Sequence, residues 1–242
     1  MMSNRNYIRL PIRNAYNIRD LGGYSTENGS ATKWRTFLRA DDLAKLDAAD
    51  MQVLLDYGVS TIIDLRSGEE CAAAPNPFDG HSDVKYHNIP LMDNMITGMS
   101  EEVLNSAEGF IANFYIGVVD SASGAIGAVF NAMADAADGA VLFHCAAGKD
   151  RTGIIAALLL GLAGVQDADI IANYEVTYTY IRQNPSFSEH GYHSDLLLSQ
   201  REYIENTLHH IEREYIGISE YLQSKAGVTT ADVHAICDRF CG

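Results

Sequence analysis

Apolar and polar positions fall into two rhythms along this chain. Three short runs are rich in β-branched or aromatic residues and are bounded by glycine or proline: 59–65 after Gly58, 84–91 with Pro90 near its end, and 140–145 after Gly139. Such runs predict buried strands. Between them the apolar residues recur at helical spacing. That spacing predicts helices over 43–57, stopping before Gly58, over 122–137 and over 152–163. Strands alternating with helices predict an α/β domain, with a central, largely parallel sheet flanked by helices. From 166 onward the pattern is helical. Ile170, Ile171, Tyr174, Tyr178 and Ile181 mark one face over 167–181, and helices over 196–215, 218–226 and 230–240 complete a helical C-terminal part. Thr229, with Asp232 three residues on, predicts a capped helix start. Residues 94–120 form a long, weakly punctuated connection, expected to be a lid or, more plainly, a helical insertion packed on the surface.

The 242 residues carry no repeat, low-complexity tract or linker. Residues 1–242 therefore read as one domain, long enough to bury a core without disulfides or metal. No apolar run reaches the ~18 residues of a membrane span, so stable membrane insertion is not expected. The N-terminus lacks the layout of a signal peptide. A cytoplasmic location is the expectation, with secretion by another route left open; the oligomeric state is not legible. Lys and Arg number 17 against 32 Asp and Glu, a formal charge of −15. Nucleic acid and anionic membranes would be repelled by that balance, although one small positive pocket is compatible with it. The four cysteines, Cys71, Cys145, Cys237 and Cys241, are too few for a disulfide scaffold. Cys237 and Cys241 read as small hydrophobes on one helix face, because a metal site would need two more ligands close by.

Cys145 stands apart from the other three. It ends a predicted strand, Arg151 follows after five residues, and a predicted helix begins at 152: His144-Cys-Ala-Ala-Gly-Lys-Asp-Arg-Thr-Gly153. A phosphate monoester is a dianion with three free oxygens. A loop curled around it can aim the backbone N–H groups of Ala146, Ala147, Gly148, Lys149, Asp150 and Arg151 at those oxygens. Gly148 permits the tight turn, and the helix start adds unpaired N–H groups and a positive dipole end. Arg151 can offer two parallel donors. The same nest favours a thiolate at Cys145, which can attack phosphorus in line and form a phosphocysteine. Thr152 is placed to donate its hydroxyl to the sulfur, and His144 to orient the loop. Lys149 either contacts substrate or is simply solvated. These groups supply what a metal supplies elsewhere, so neither metal nor cofactor is expected, and a phosphate or sulfate ion should fit the loop. A kinase-type nucleotide loop is excluded, because Phe143 stands where its first glycine belongs.

The run resembles the CX5R signature of the protein tyrosine phosphatase superfamily. Its ending, Gly148-Lys-Asp-Arg-Thr-Gly153, is similar to the branch of bacterial atypical tyrosine and lipid phosphatases. So are Asn17-Ile-Arg-Asp-Leu-Gly-Gly-Tyr24, Leu38-Arg-Ala-Asp41, Asp64-Leu-Arg66 and Tyr192-His-Ser-Asp195. The resemblance covers nearly the whole chain. It implies a tyrosine phosphatase-like fold and hydrolysis of phosphotyrosine in proteins, with dual specificity or phosphoinositides as further possibilities. Lipid specificity is disfavoured by the alanines at 146 and 147, which leave Lys149 as the loop's lysine.

Expelling an alkoxide or phenoxide is helped by an acid, and hydrolysing a phosphocysteine by a base; one carboxylate can serve both steps. Three are in play. The resemblance favours Asp150. Asp93 follows the second predicted strand, in the order where dual-specificity phosphatases carry a mobile acid. Asp64 ends a strand, where sites collect in open α/β sheets, or simply pairs with Arg66. Arg19, Asp20, Arg39 and Asp41 read as structural ion pairs, surface or half-buried, with a role at the pocket rim implied by the resemblance alone. Tyr174, Tyr178 and Tyr180 read as packing, or as platforms for an aromatic substrate. Two other functions stay open. A non-catalytic phosphate-binding module would not need both Cys145 and Arg151, and a thiol redox enzyme or sulfur transferase would need a partner thiol such as Cys71.

Overall fold

In the computed structural model, residues 5–91, 110–186 and 198–241 are described. Two clusters of buried side chains share out the sheet residues in alternation. Phe37, Ile63, Val141, Phe143 and Cys145 enter one cluster; Leu38, Ala40, Ile62, Ala140 and Leu142 enter the other. A period of two with both sets apolar is what strands covered on both faces must show. The strands are β1 (Arg19–Asp20), β2 (Phe37–Ala40), β3 (Val59–Asp64), β4 (Lys85–Asn88) and β5 (Ala140–His144), in spatial order β1-β2-β5-β3-β4. β1 runs antiparallel to β2, and the other pairs are parallel. The three predicted strands are therefore present, each somewhat trimmed. β1 and β2 went unpredicted because they are short and carry Arg19, Asp20 and Arg39.

The helices are α1 (Ala48–Tyr57), α2 (Gly68–Ala73), α3 (Phe110–Ser121), α4 (Ser123–Ala134), α5 (Asp150–Leu162), α6 (Asp167–Ile181), α7 (Arg201–Tyr215) and α8 (Thr230–Phe240). Ile218–Glu220 leads into a π-helical turn, Tyr221–Lys225, before α8. α1 is shorter than the apolar spacing suggested. The Asp47 carboxylate accepts the N–H groups of Ala49 and Asp50 and starts the helix there, and Gly58, at φ 98°, ends it. α2 is only six residues long and was missed, although Ser67 and Glu70 close a reciprocal capping box at its start. The predicted cap at Thr229 is present, with Asp232 as its partner.

α5 is buried from Thr152 to Leu160 and forms the spine of the larger cluster. The 94–120 connection, a lid or a helical insertion by sequence, is described only in its last part. Residues 110–120 lie in α3, which sends Tyr115, Val118 and Val119 into the core; residues 94–109 lie outside the described residues. Among the described residues no single helix is long and apolar enough to cross a membrane. The topology brings the carboxyl ends of β2, β3 and β5 together, and α5 starts beside them, which is where open α/β sheets place their sites.

Candidate active site

β5 ends at His144 and α5 begins at Asp150, so the connecting loop opens with Cys145. Its carbonyls are tied down from outside. Ala146 O accepts the N–H of Asp42 at 3.0 Å. Asn17 Nδ2 donates to Ala147 O and Gly148 O, each at 3.0 Å, and Arg39 Nη2 donates to Gly148 O at 2.7 Å. In a planar trans peptide the C=O and the next N–H point in opposite directions. Turning these carbonyls outward therefore turns the N–H groups of residues 147, 148 and 149 inward. Gly148 sits at φ 65°, and a Cβ there would lie 2.5 Å from Ala40 O, so only glycine fits. The result is a concave ring of amides at the start of a helix, a geometry suited to an anion.

The groups behind the loop are buried, and they are not the ion pairs expected of them. Arg39 also donates to Asn173 Oδ1 at 2.7 Å. Arg19 donates to Asn173 O at 2.7 Å, to Thr177 Oγ1 at 2.9 Å and to the Asn17 side-chain oxygen. Both guanidiniums thus rest on neutral acceptors. Burial lowers Arg39 to about 10, while burial and then the like charge of Arg39 hold Arg19 well below the usual arginine range. The Asp41 carboxylate accepts the N–H groups of Tyr16 and Asn17, and burial pushes it up to about 6. Asp20 accepts the Tyr57 hydroxyl at 2.6 Å and the N–H groups of Gly22 and Arg35 at 2.8 Å. Asn17 and Asn173 had no assigned role from sequence; Asn17 was visible only as the first letter of a motif.

Cys145 is 2% exposed. Arg151 reaches across to α2, where its Nη1 and Nη2 meet Glu70 Oε2 and Oε1 at 2.6 and 2.8 Å. Glu70 Oε2 also accepts the Ser67 N–H at 2.8 Å. Burial alone would raise the Glu70 carboxyl, but the bond from Arg151 draws it below its usual value. Sequence reasoning missed Glu70, although Ser67-Gly-Glu-Glu70 is the spacing of a capping box. Thr152 departs from expectation. Its hydroxyl is buried without a hydrogen-bond partner, so the donation to the Cys145 sulfur is not made in this geometry.

Of the three aspartates, Asp93 lies outside the described residues, as does the 192–195 motif. Asp64 is fully buried. It accepts Arg66 Nη2 at 2.6 Å and the Tyr86 hydroxyl at 2.9 Å, and its Oδ2 lies 3.3 Å from His144 Nε2. Burial would raise it, but His144 and Arg66 hold it far below the usual carboxylate range. Asp64 thus pairs with Arg66 and His144, the plainer of the two roles that the sequence offered for it. His144 is buried at the junction, with Nε2 2.9 Å from Asn76 Nδ2 and Nδ1 3.3 Å from Cys145 O. Asp150 opens α5, keeps 16% of its side chain exposed, and accepts the Tyr115 hydroxyl at 2.5 Å. Lys149 is not solvated. Its side chain is 2% exposed, with Nζ 3.1 Å from Leu198 O and 3.3 Å from Asp150 Oδ1.

Tyr174 is buried in the core, while Tyr178 and Tyr180 stack against Arg182 and against Arg9 and Arg19 respectively, so all three pack. The Cys71 sulfur faces Asp64 Oδ2 at 3.7 Å and the Tyr86 hydroxyl at 3.9 Å rather than the loop. Cys237 and Cys241 line a cavity of about 500 Å³ at the far end of α5, 3.7 Å from Leu162 O and 3.8 Å from Ala163 O.

Comparison with known proteins agrees with this geometry. A tyrosine-protein phosphatase of Nostoc commune is 38% identical over 153 residues, covering 63% of this chain and 52% of that protein. The triple specificity protein phosphatase PtpB of Mycobacterium tuberculosis is 26% identical over 186 residues, 66% of each chain. The matched stretch thus spans about half to two thirds of these relatives' lengths. The family model described as the tyrosine phosphatase family matches residues 10–242, a span that takes in the Cys145 loop, its outer ties and the helical C-terminal part. The chain belongs to the tyrosine phosphatase family.

Proposed function

We propose that this chain hydrolyses phosphotyrosine in proteins through a phosphocysteine formed on Cys145. The observation that carries the reading is the loop whose carbonyls at 146, 147 and 148 are tied outward, leaving the amides that follow them, together with Arg151, to surround one phosphate. The Cys145 thiolate attacks phosphorus as the P–O bond to the tyrosine breaks. Amides and guanidinium take up charge on the three equatorial oxygens, the part of catalysis where preorganised donors contribute most. Asp150 gives its proton to the departing phenoxide oxygen. It then takes a proton from the water that attacks the phosphocysteine, so the thiolate and inorganic phosphate are regenerated. Glu70 holds the Arg151 plane in place for a two-pronged contact.

The relative named a triple specificity phosphatase makes phosphoserine, phosphothreonine and phosphoinositide headgroups secondary substrates to try. Phosphotyrosine ranks first because Lys149 is turned toward Leu198 and Asp150 rather than laid out for a second phosphate. The test measures phosphate release from an aryl phosphate and a phosphotyrosine peptide under reducing conditions, for wild type and Cys145→Ser. Turnover by wild type, lowered by at least ~10³-fold in the variant, is expected. Retention of phosphopeptide by wild type without release would instead mark a phosphate-binding module.

A further inference from the structure

We propose that Tyr115, delivered by α3, is a positioning residue that aims the Asp150 carboxyl at the leaving group, with Tyr174 behind it as the second link of a one-way donor chain. The inference rests on the reading of Asp150 as the acid. The Tyr115 hydroxyl donates to Asp150 Oδ1 at 2.5 Å and lies 2.6 Å from the Tyr174 hydroxyl. A phenol has one proton to donate. With that of Tyr115 committed to Asp150, Tyr174 must be the donor to Tyr115. The chain therefore runs Tyr174 to Tyr115 to Asp150. Its two rings meet edge to face, with centroids 6.1 Å apart, and Tyr203 packs on Tyr115 at 6.4 Å. Burial, and then the negative charge of Asp150, push both phenols well above their usual range, so they keep their protons throughout the cycle.

Lys149 Nζ approaches the same oxygen, Oδ1, at 3.3 Å. Both donors address Oδ1, so Oδ2 is the oxygen on which a transferable proton would sit. A carboxyl held by one oxygen against two buried groups has its other oxygen fixed in direction. A misplacement of about 1 Å at a reacting group costs on the order of 10²-fold in rate, which sets the scale of what positioning can contribute. The alternative is that Tyr115 only packs α3 into the core. In that case the loss of its hydroxyl would lower stability, or turnover of every substrate alike.

The experiment follows kcat and KM on aryl monophosphates of graded leaving-group ability, for wild type, Tyr115→Phe, Asp150→Asn and the double variant. Tyr115→Phe should lower kcat about tenfold on the poorest leaving group, leave KM unchanged, and act little on the most activated ester. The double variant should be no slower than Asp150→Asn alone, because both changes remove one function. Tyr115→Phe/Tyr174→Phe, which orphans neither hydroxyl, must reproduce the leaving-group dependence. A uniform loss across the series, or an additive loss in the Tyr115/Asp150 double variant, would overturn the inference. Dependence in Asp150→Asn with none in Tyr115→Phe would sink it alone. No dependence in Asp150→Asn would sink the acid assignment, and this inference with it.

Discussion

Helix α5 meets cysteine at both of its ends, and the two ends present opposite faces to the thiol. At its start, Cys145 lies in a loop whose carbonyls at 146–148 are turned away, beside a helix terminus that has no side-chain cap among the described residues. At its end, the sulfurs of Cys237 and Cys241 face the carbonyls of Leu162 and Ala163 at 3.7 and 3.8 Å. Burial pushes both of these thiols up, and nearby negative charge from Asp238 adds to the effect. One helix thus offers an anion-loving pole and a proton-keeping pole. The residue type is the same; what surrounds the sulfur differs, inward-turned amides at one end and backbone carbonyls with Asp238 nearby at the other.

The comparison breaks first at the thiols. Cys145→Ser should abolish turnover to the ~10³-fold level or beyond, whereas Cys237→Ser and Cys241→Ser should leave it within about twofold, measured as kcat/KM on an aryl phosphate. Equal losses would erase the distinction between the two ends. Arg151→Lys comes next. It keeps a charge but loses the fork, so kcat/KM should fall by about 10²-fold. Glu70→Gln tests whether holding the fork matters in its own right. About a tenfold loss is expected, roughly one charge-assisted hydrogen bond, without loss of the fold. The mildest change is in stability. The Asp41 pKa of about 6 in the folded state exceeds its unfolded value near 3.8, so the folded state binds the extra proton. Stability from this group is full below pH ~4 and is lost as pH rises to about 6, by at most about 3 kcal/mol. Urea unfolding of Asp41→Asn against wild type between pH 4 and 7 should show that slope removed.

How much of this was legible from sequence follows from range. The Cys145–Arg151 spacing carries its chemistry locally, because strand, loop and helix start are contiguous. β3 and β5 announce themselves by their apolar runs. The ties behind the loop do not, because Asn17, Arg39 and Asn173 are drawn from three distant segments and look like ordinary surface polars until the sheet brings β1 beside β2. The expectation of ion pairs among Arg19, Asp20, Arg39 and Asp41 failed for a related reason: each finds a nearer neutral or backbone partner. Glu70 was readable as part of a capping box, but its bond to Arg151, 81 positions away, was not. Tyr115 and Asp150 lie 35 apart, on helices whose contact no periodicity reveals.

The Arg151–Glu70 pair has one more consequence. Because the carboxylate answers much of the guanidinium's charge before any substrate arrives, the pocket cannot act as a general trap for negative ions. Glu70 takes one N–H from each of Nη1 and Nη2, so any bound phosphate meets the remaining guanidinium donors, and a phosphodiester, with a single charge and two free oxygens, would leave part of the amide ring unfilled. Only a group that brings three oxygens and two charges can engage every donor at once. On the reading proposed above, Glu70 would make the site a counter of oxygens, so that in a chain of net charge −15 the number of donors engaged, rather than overall attraction, would select the ligand.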